Sequence, residues 1–270
     1  MKLSYQVSTP EVYILPGVTS YQGNFEESIK ALKAAGYDGI ELMVRDPGAF
    51  DWKEVTGLLE KHNYEVPLIC TGEIYGQDKL GFSDPDDSRR DEAMKRIRGA
   101  IDLAHILGTQ INLGRARGCY YQDIPTEKTY ERIWDAVLRV TEYASQKGVC
   151  IALEPVNTLG LNFINSTTEG LDFVKKVASP NFKIMLDSAH MHIEDKDIEA
   201  TINNSIDMVT FVHLADSNRR YPGAGVFDFP AFIGYLKKAG YQGALSVEVF
   251  SLPDQDTALR KSSEFIRPLL

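Results

Sequence analysis

Eight short apolar runs punctuate the chain, near residues 3–8, 39–44, 66–71, 109–114, 149–154, 182–187, 208–213 and 244–248. Their apolar residues stand mostly side by side rather than alternating with polar ones, the mark of strands covered on both faces in a parallel sheet. Between the runs the period changes. Phe25, Ile29 and Leu32 fall three or four apart, and Met94, Ile97, Ile101, Ala104 and Ile106 form a longer stripe, so these segments predict helices with one face inward. Several helical segments stop at a glycine, namely Gly36, Gly108, Gly148 and Gly240, the residue that most readily takes the left-handed conformation closing a helix. An apolar run follows each within a few residues. The pattern predicts eight strand–helix units without an intervening linker: an α/β fold, one domain over residues 1–270, built as a (β/α)8 TIM barrel. A doubly wound open sheet is the competing architecture. It would collect its ligand at a switch point, usually near the first strand, whereas the polar residues here accumulate after strands five to eight.

Four of those polar residues decide the chemistry. Glu154, Asp187, His213 and Glu248 each close an apolar run, at Cys-Ile-Ala-Leu-Glu154, Lys-Ile-Met-Leu-Asp187, Val-Thr-Phe-Val-His213 and Leu-Ser-Val-Glu248, and follow one another at 33, 26 and 35 residues. One polar residue at a strand end is ordinary, since strands end where the core ends. Four in succession, all carboxylate or imidazole, need a further cause. In a parallel barrel the C-terminal strand ends converge on one mouth, where the chemistry is found. Three carboxylates and one imidazole suit a divalent ion such as Mn2+, with Mg2+, Co2+ and Zn2+ as alternatives. Structural zinc would want paired cysteines, and the chain has no CxxC.

Further candidates lie beside these four. His190 and His192 follow Asp187, Arg219 and Arg220 follow His213 in a glycine-containing loop, and Asn157 and Asn165 follow Glu154. For Asn165 a helix N-cap is the simpler expectation. Glu73 after strand three, with Arg115 and Arg117 after strand four, stand at the correct end of the barrel for substrate contact or for a salt bridge. His62 and His105 fall on helices and are read as structural.

Composition narrows the partners. A net charge of −9 argues against a nucleic-acid surface, which wants a basic patch, and fits a small polar substrate. No apolar stretch approaches the ~20 residues of a membrane span, the N-terminus lacks a signal-peptide core, and three widely spaced cysteines suit a reducing cytoplasm.

With these segments placed, the chain resembles the sugar isomerases and epimerases of the xylose-isomerase-like TIM-barrel superfamily. Within it the likeness is to the ketose 3-epimerase group, of tagatose, psicose and 5-keto-gluconate types. It spans essentially the whole chain and is carried by Leu-Glu154-Pro-Val-Asn157, Asp187-Ser-Ala-His190, His213-Leu-Ala-Asp-Ser-Asn-Arg219, Pro222-Gly-Ala-Gly225 with Asp228 beyond, and Ser-Val-Glu248. The early Val-Arg45-Asp46-Pro47 with Asp51-Trp52 resembles the 5-keto-gluconate branch. The resemblance implies a Mn2+ enzyme in which Glu154 and Glu248 are both ligands and the proton-transfer pair, working through a cis-enediolate. Asp187 and His213 then mainly hold the ion, His190 and Arg219 contact the substrate, and the assembly is a homodimer or homotetramer. One departure stands out. Several ketose 3-epimerases carry a second, sugar-contacting Glu six residues after the first metal Glu; here that position is Gly160. A sugar acid whose carboxylate meets Arg117 or Arg220 is one substrate this leaves open. An aldose–ketose isomerase of hydroxypyruvate-isomerase or sugar-phosphate type, an inosose-dehydratase-like lyase and a non-catalytic sugar-binding barrel are the alternatives.

Overall fold

The computed structural model describes residues 1–270. Its eight strands are β1 (Lys2–Ser8), β2 (Gly39–Met43), β3 (Ile69–Cys70), β4 (Ile111–Leu113), β5 (Ile151–Leu153), β6 (Phe182–Asp187), β7 (Val209–Leu214) and β8 (Ala244–Val247). They pair in parallel and in chain order, and β8 returns to β1 to close the barrel. Ten helices connect and cover them: α1 (Phe25–Ala34), α2 (Trp52–Lys61), α3 (Gly72–Gly76), α4 (Asp87–Leu107), α5 (Thr126–Lys147), α6 (Thr167–Val177), α7 (Ser188–Glu194), α8 (Ile198–Ser205), α9 (Phe229–Lys238) and α10 (Gln255–Ile266). The predicted (β/α)8 barrel is therefore the fold. Gly108 and Gly148 cap α4 and α5 in the left-handed conformation, and Gly36 and Gly240 adopt it one residue past their caps.

Because successive strand residues point to opposite faces, each strand divides its side chains between two cores. Leu3, Tyr5 and Val7 of β1, with Ile40, Leu42, Ile151, Leu153, Val212, Leu214 and Val247, join the large cluster packed against the helices. The residues between them fill the barrel. Met43, Cys70, Ala152, Met185 and Phe211 form a small separate apolar cluster with Val12, Val18 and Leu68. Ala152, Met185 and Phe211 stand two residues before Glu154, Asp187 and His213. One strand period thus places an apolar layer directly beneath the polar one. On the β8–β1–β2 side the lining is polar instead, with Ser246, Ser4, Gln6 and Glu41 all fully buried. No helix is long and apolar enough to cross a membrane, and all three cysteines are unpaired.

Candidate metal centre

Closure of the barrel brings the four strand-end residues together. Glu154 follows β5, Asp187 ends β6, His213 is the penultimate residue of β7 and Glu248 follows β8. All four are buried, and one ligand atom from each lies within 4.8 Å of all the others. That spread is about twice the ~2.0–2.6 Å distance from a divalent ion to its oxygen or nitrogen ligands, so the donor set fits one ion in both chemistry and size. His213 Nδ1 faces the carboxylates, 3.1 Å from Glu248, 3.4 Å from Glu154 and 3.7 Å from Asp187.

Each of the four is held by a neighbour. Asn112 Nδ2 donates to Glu154 Oε2 at 2.9 Å while its Oδ1 accepts from the Thr71 amide at 2.7 Å. Gly114 leaves room for this carboxylate, since a Cβ there would lie 2.6 Å from Glu154 Oε2 and displace it. Asp187 caps α7 by accepting from the Ala189 and His190 amides at 2.9 and 3.0 Å. Thr19 Oγ1 donates to Glu248 Oε1 at 3.1 Å. His213 Nε2, on the side away from the carboxylates, bonds Glu41 at 2.9 Å.

Burying three carboxylates within a few ångströms is costly unless cations accompany them. Arg219 is the cation present. One of its terminal nitrogens contacts both oxygens of Asp187 at 2.8 and 2.7 Å, and the other bonds Glu248. Burial pushes the Glu248 carboxyl upward, but the Arg219 guanidinium and His213 outweigh it and hold the group down at about 2. Burial likewise opposes ionisation of Asp187, and Arg219 with His190 carries it well below the usual range. Burial disfavours charge on His213, yet Glu41 and Glu248 take its pKa well above the ordinary imidazole value. Arg219 itself sits at φ 59°, a strained conformation for a long side chain of the kind that persists at functional sites. Its loop is organised by Asp216, whose carboxylate accepts the Ser217, Gly223 and Phe227 amides.

A cavity of about 360 Å3 opens above the cluster. Glu154, Glu248, His190, Asn157, Arg219 and Arg115 supply much of its polar lining, while Val156, Leu159, Ile193 and Phe250 supply apolar wall. His190 thus takes the cavity position, whereas His192 packs edge-on against Phe227. Asn157 Nδ2 donates to His190 Nδ1 at 2.8 Å, which leaves the ring proton on Nε2, 3.9 Å from Glu154. Burial lowers the His190 pKa below its ordinary value.

Other expected contacts fall elsewhere. Arg117 does not reach the cavity. It is fully buried and donates five hydrogen bonds to the carbonyls of Gly114, Glu154, Phe163 and Ile164. That clamps the β5 loop to the β4 loop and leaves the guanidinium no role with a ligand. Leaving buried carbonyls without their donor costs about 1–3 kcal/mol, so Arg117→Met lowers the unfolding free energy by at least about that amount in urea titrations. A loss under 1 kcal/mol would mean that the clamp is dispensable. Glu73 is also buried outside the cavity lining, paired with Arg115 at 3.1 Å; burial raises its pKa despite the neighbouring Arg115. Arg220 lies over the Tyr221 ring and does not line the cavity. Asn165 is not a helix cap: Ser166 caps α6, and the Asn165 amide ties the Val156 and Leu161 carbonyls, both at 2.7 Å. His62 pairs with Glu26, and His105 bonds the Lys147 carbonyl.

Sequence reasoning missed Glu41, Asn112 and Thr19. The first two carried a signal: each is a polar residue inside an apolar run, Gly-Ile-Glu-Leu-Met and Ile-Asn-Leu. Such a buried residue must find a polar partner on another strand.

Residues 29–269 match the family described as the xylose isomerase-like TIM barrel. The L-ribulose 3-epimerase of Methylomonas sp. is 31% identical over 228 residues, covering 83% of this chain and 78% of that protein. The D-psicose 3-epimerase of Ruminiclostridium cellulolyticum is 34% identical over 244 residues, covering 85% and 80%. Among solved structures, D-allulose 3-epimerase from Methylomonas sp. in complex with D-allulose superposes with a TM-score of 0.82 at 24% identity, over 100% of this chain and 97% of that one. At that identity the likeness is one of fold. The relatives named here are epimerases, which are isomerase-class enzymes. The chain belongs to the xylose isomerase-like TIM-barrel family.

Proposed function

We propose that this xylose isomerase-like barrel is a divalent-metal-dependent epimerase that inverts the carbon beside the carbonyl of a ketose or keto-sugar acid. One observation carries the reading: two buried glutamates, three strands apart around the barrel, share a single ligand cluster and both line the cavity. The relatives named as ketose 3-epimerases support the same chemistry.

Inverting such a carbon means removing its proton from one face and returning a proton to the other, which calls for two carboxylates on different walls. Glu154 and Glu248 fill those roles. When one takes the proton, the C–H electron pair becomes a new C=C bond and the carbonyl π pair moves onto the oxygen, which becomes negative. The other glutamate, which must enter protonated from solvent, gives its proton to the opposite face as the oxygen's electron pair re-forms the C=O bond, so the two glutamates finish with their protonation states exchanged. Glu154, Asp187, His213 and Glu248 would hold a divalent ion, Mn2+ as first choice, which would supply positive charge near the oxygen that becomes negative. His190 Nε2–H, set by Asn157, and the Arg219 guanidinium supply donors to substrate oxygens. The three unpaired cysteines support a reducing, cytoplasmic setting.

NMR in D2O with a panel of ketoses, ketose phosphates and keto-sugar acids tests the reading. Deuterium at the carbon beside the carbonyl, together with the epimer, is the expected result. Exchange at C1 with an aldose product would instead establish an isomerase, and no exchange with any compound would leave the epimerase reading without support.

An acid substrate has one specific observation in its favour. Arg115 lines the cavity; one of its nitrogens bonds the Gly72 carbonyl at 3.2 Å and Glu73 at 3.1 Å, and the others have no partner within the protein. A charge-assisted hydrogen bond is worth about 1.5–3 kcal/mol. Arg115→Met therefore raises KM for a keto-sugar acid roughly 10- to 100-fold while leaving neutral ketoses within about threefold. Equal KM changes for both classes would assign the site to neutral sugars.

A further inference from the structure

We propose that Glu41 is a positioning residue that sets which nitrogen of His213 faces the metal. The inference rests on the metal-centre reading above. Glu41 stands in the middle of β2, completely buried, where an isolated carboxylate would be very costly. Its Oε1 lies 2.9 Å from His213 Nε2 and 2.9 Å from Gln6 Nε2. Gln6 Oε1 in turn lies 3.3 Å from Thr19 Oγ1, the hydroxyl that reaches Glu248. A chain of polar side chains therefore leaves the centre at His213, passes through Glu41, Gln6 and Thr19, and returns at Glu248.

An ionised carboxylate only accepts hydrogen bonds. Facing Glu41, Nε2 must carry the ring proton, so the lone pair available for an ion is on Nδ1. Nδ1 is the atom that looks onto Glu154, Asp187 and Glu248. Glu41 also resists turning of the ring, because rotation would break a buried charge-assisted bond and leave the carboxylate with Gln6 as its one donor. Phe211 holds the same ring from below, edge-on at 5.6 Å, and packing alone does not distinguish the two nitrogens. The tautomer is thus assigned by a residue on the far side of the barrel.

Two measurements test this. In 15N long-range correlation spectra of the Zn2+-loaded wild-type protein, His213 is expected to carry its proton on Nε2 with Nδ1 unprotonated; a proton on Nδ1 would overturn the proposal. By titration calorimetry with Zn2+, Glu41→Leu is expected to bind about 10- to 100-fold more weakly. Glu41→Gln, which keeps an acceptor oxygen, is expected to restore most of that affinity and the wild-type tautomer. Unchanged Zn2+ affinity in folded Glu41→Leu would overturn the proposal as well. If Glu41→Leu does not fold, the wild-type spectrum decides. Wild-type protein that binds no Zn2+, Mn2+ or Mg2+ would remove the metal centre itself, a failure distinct from that of Glu41.

Discussion

Replacing either Glu154 or Glu248 with glutamine lowers kcat for epimerisation by about 100- to 10,000-fold, the usual worth of a positioned acid or base. Glutamine keeps the shape and one oxygen but cannot accept the proton. The more telling result is in the exchange pattern. Each variant retains one carboxylate on one wall, so it still exchanges with D2O the proton of whichever epimer presents its C–H to that wall. It does so without forming the other epimer, because no group on the opposite face returns a proton. The two variants therefore exchange opposite epimers. Epimerisation near the wild-type rate in either variant would remove that glutamate from proton transfer. Loss of exchange with both epimers, together with retained metal, would point to a single carboxylate serving both faces. Metal content must be measured alongside, because both residues are also ligands in this reading.

Removing divalent ions with a chelator abolishes turnover, and adding Mn2+ restores it. The stability of the protein moves with it. Three carboxylates lie buried against one imidazole and one arginine, so an ion at their centre relieves repulsion that exists only in the folded chain. A ligand that binds only the native state at 100 times its Kd stabilises it by about 2.7 kcal/mol. For a chain of this size that corresponds to a rise in Tm of about 5 °C. Asp187→Asn keeps an acceptor for the Ala189 and His190 amides but gives up the charge, and with it most of the Mn2+-dependent rise. Full activity in chelated protein, verified metal-free by elemental analysis, would rule out a metal-dependent reaction. An undiminished Tm shift in Asp187→Asn would place the ion away from this cluster.

These predictions rest on residues that were not equally visible along the chain. The strands are legible because the barrel covers them on both faces, which forces consecutive apolar residues. The helix ends are legible because Gly108 and Gly148 adopt a conformation that other residues resist. Glu154, Asp187, His213 and Glu248 are legible for a related reason: each ends an apolar run, and parallel strands in a closed barrel bring such ends to one mouth. Burial patterns of this kind are local, set by a strand's period of two and by the length of its covered segment.

Side-chain direction in the loops is not local. Arg115 and Arg117 share one short 3-10 turn after β4, and nothing in Gly-Arg-Ala-Arg-Gly tells which guanidinium meets the cavity and which meets carbonyls of the β5 loop. The answer depends on where the β5 loop places the carbonyls of Phe163 and Ile164, 46 and 47 residues further on. Glu41 is a stronger case, since its partner His213 lies 172 residues away and only barrel closure brings β2 and β7 face to face across the interior. Hydrophobic periodicity thus placed the four clustered residues, through burial that each strand experiences by itself. The groups that orient them were decided by contacts across the closed barrel, where a buried donor or acceptor must find its partner from whichever strand happens to stand opposite.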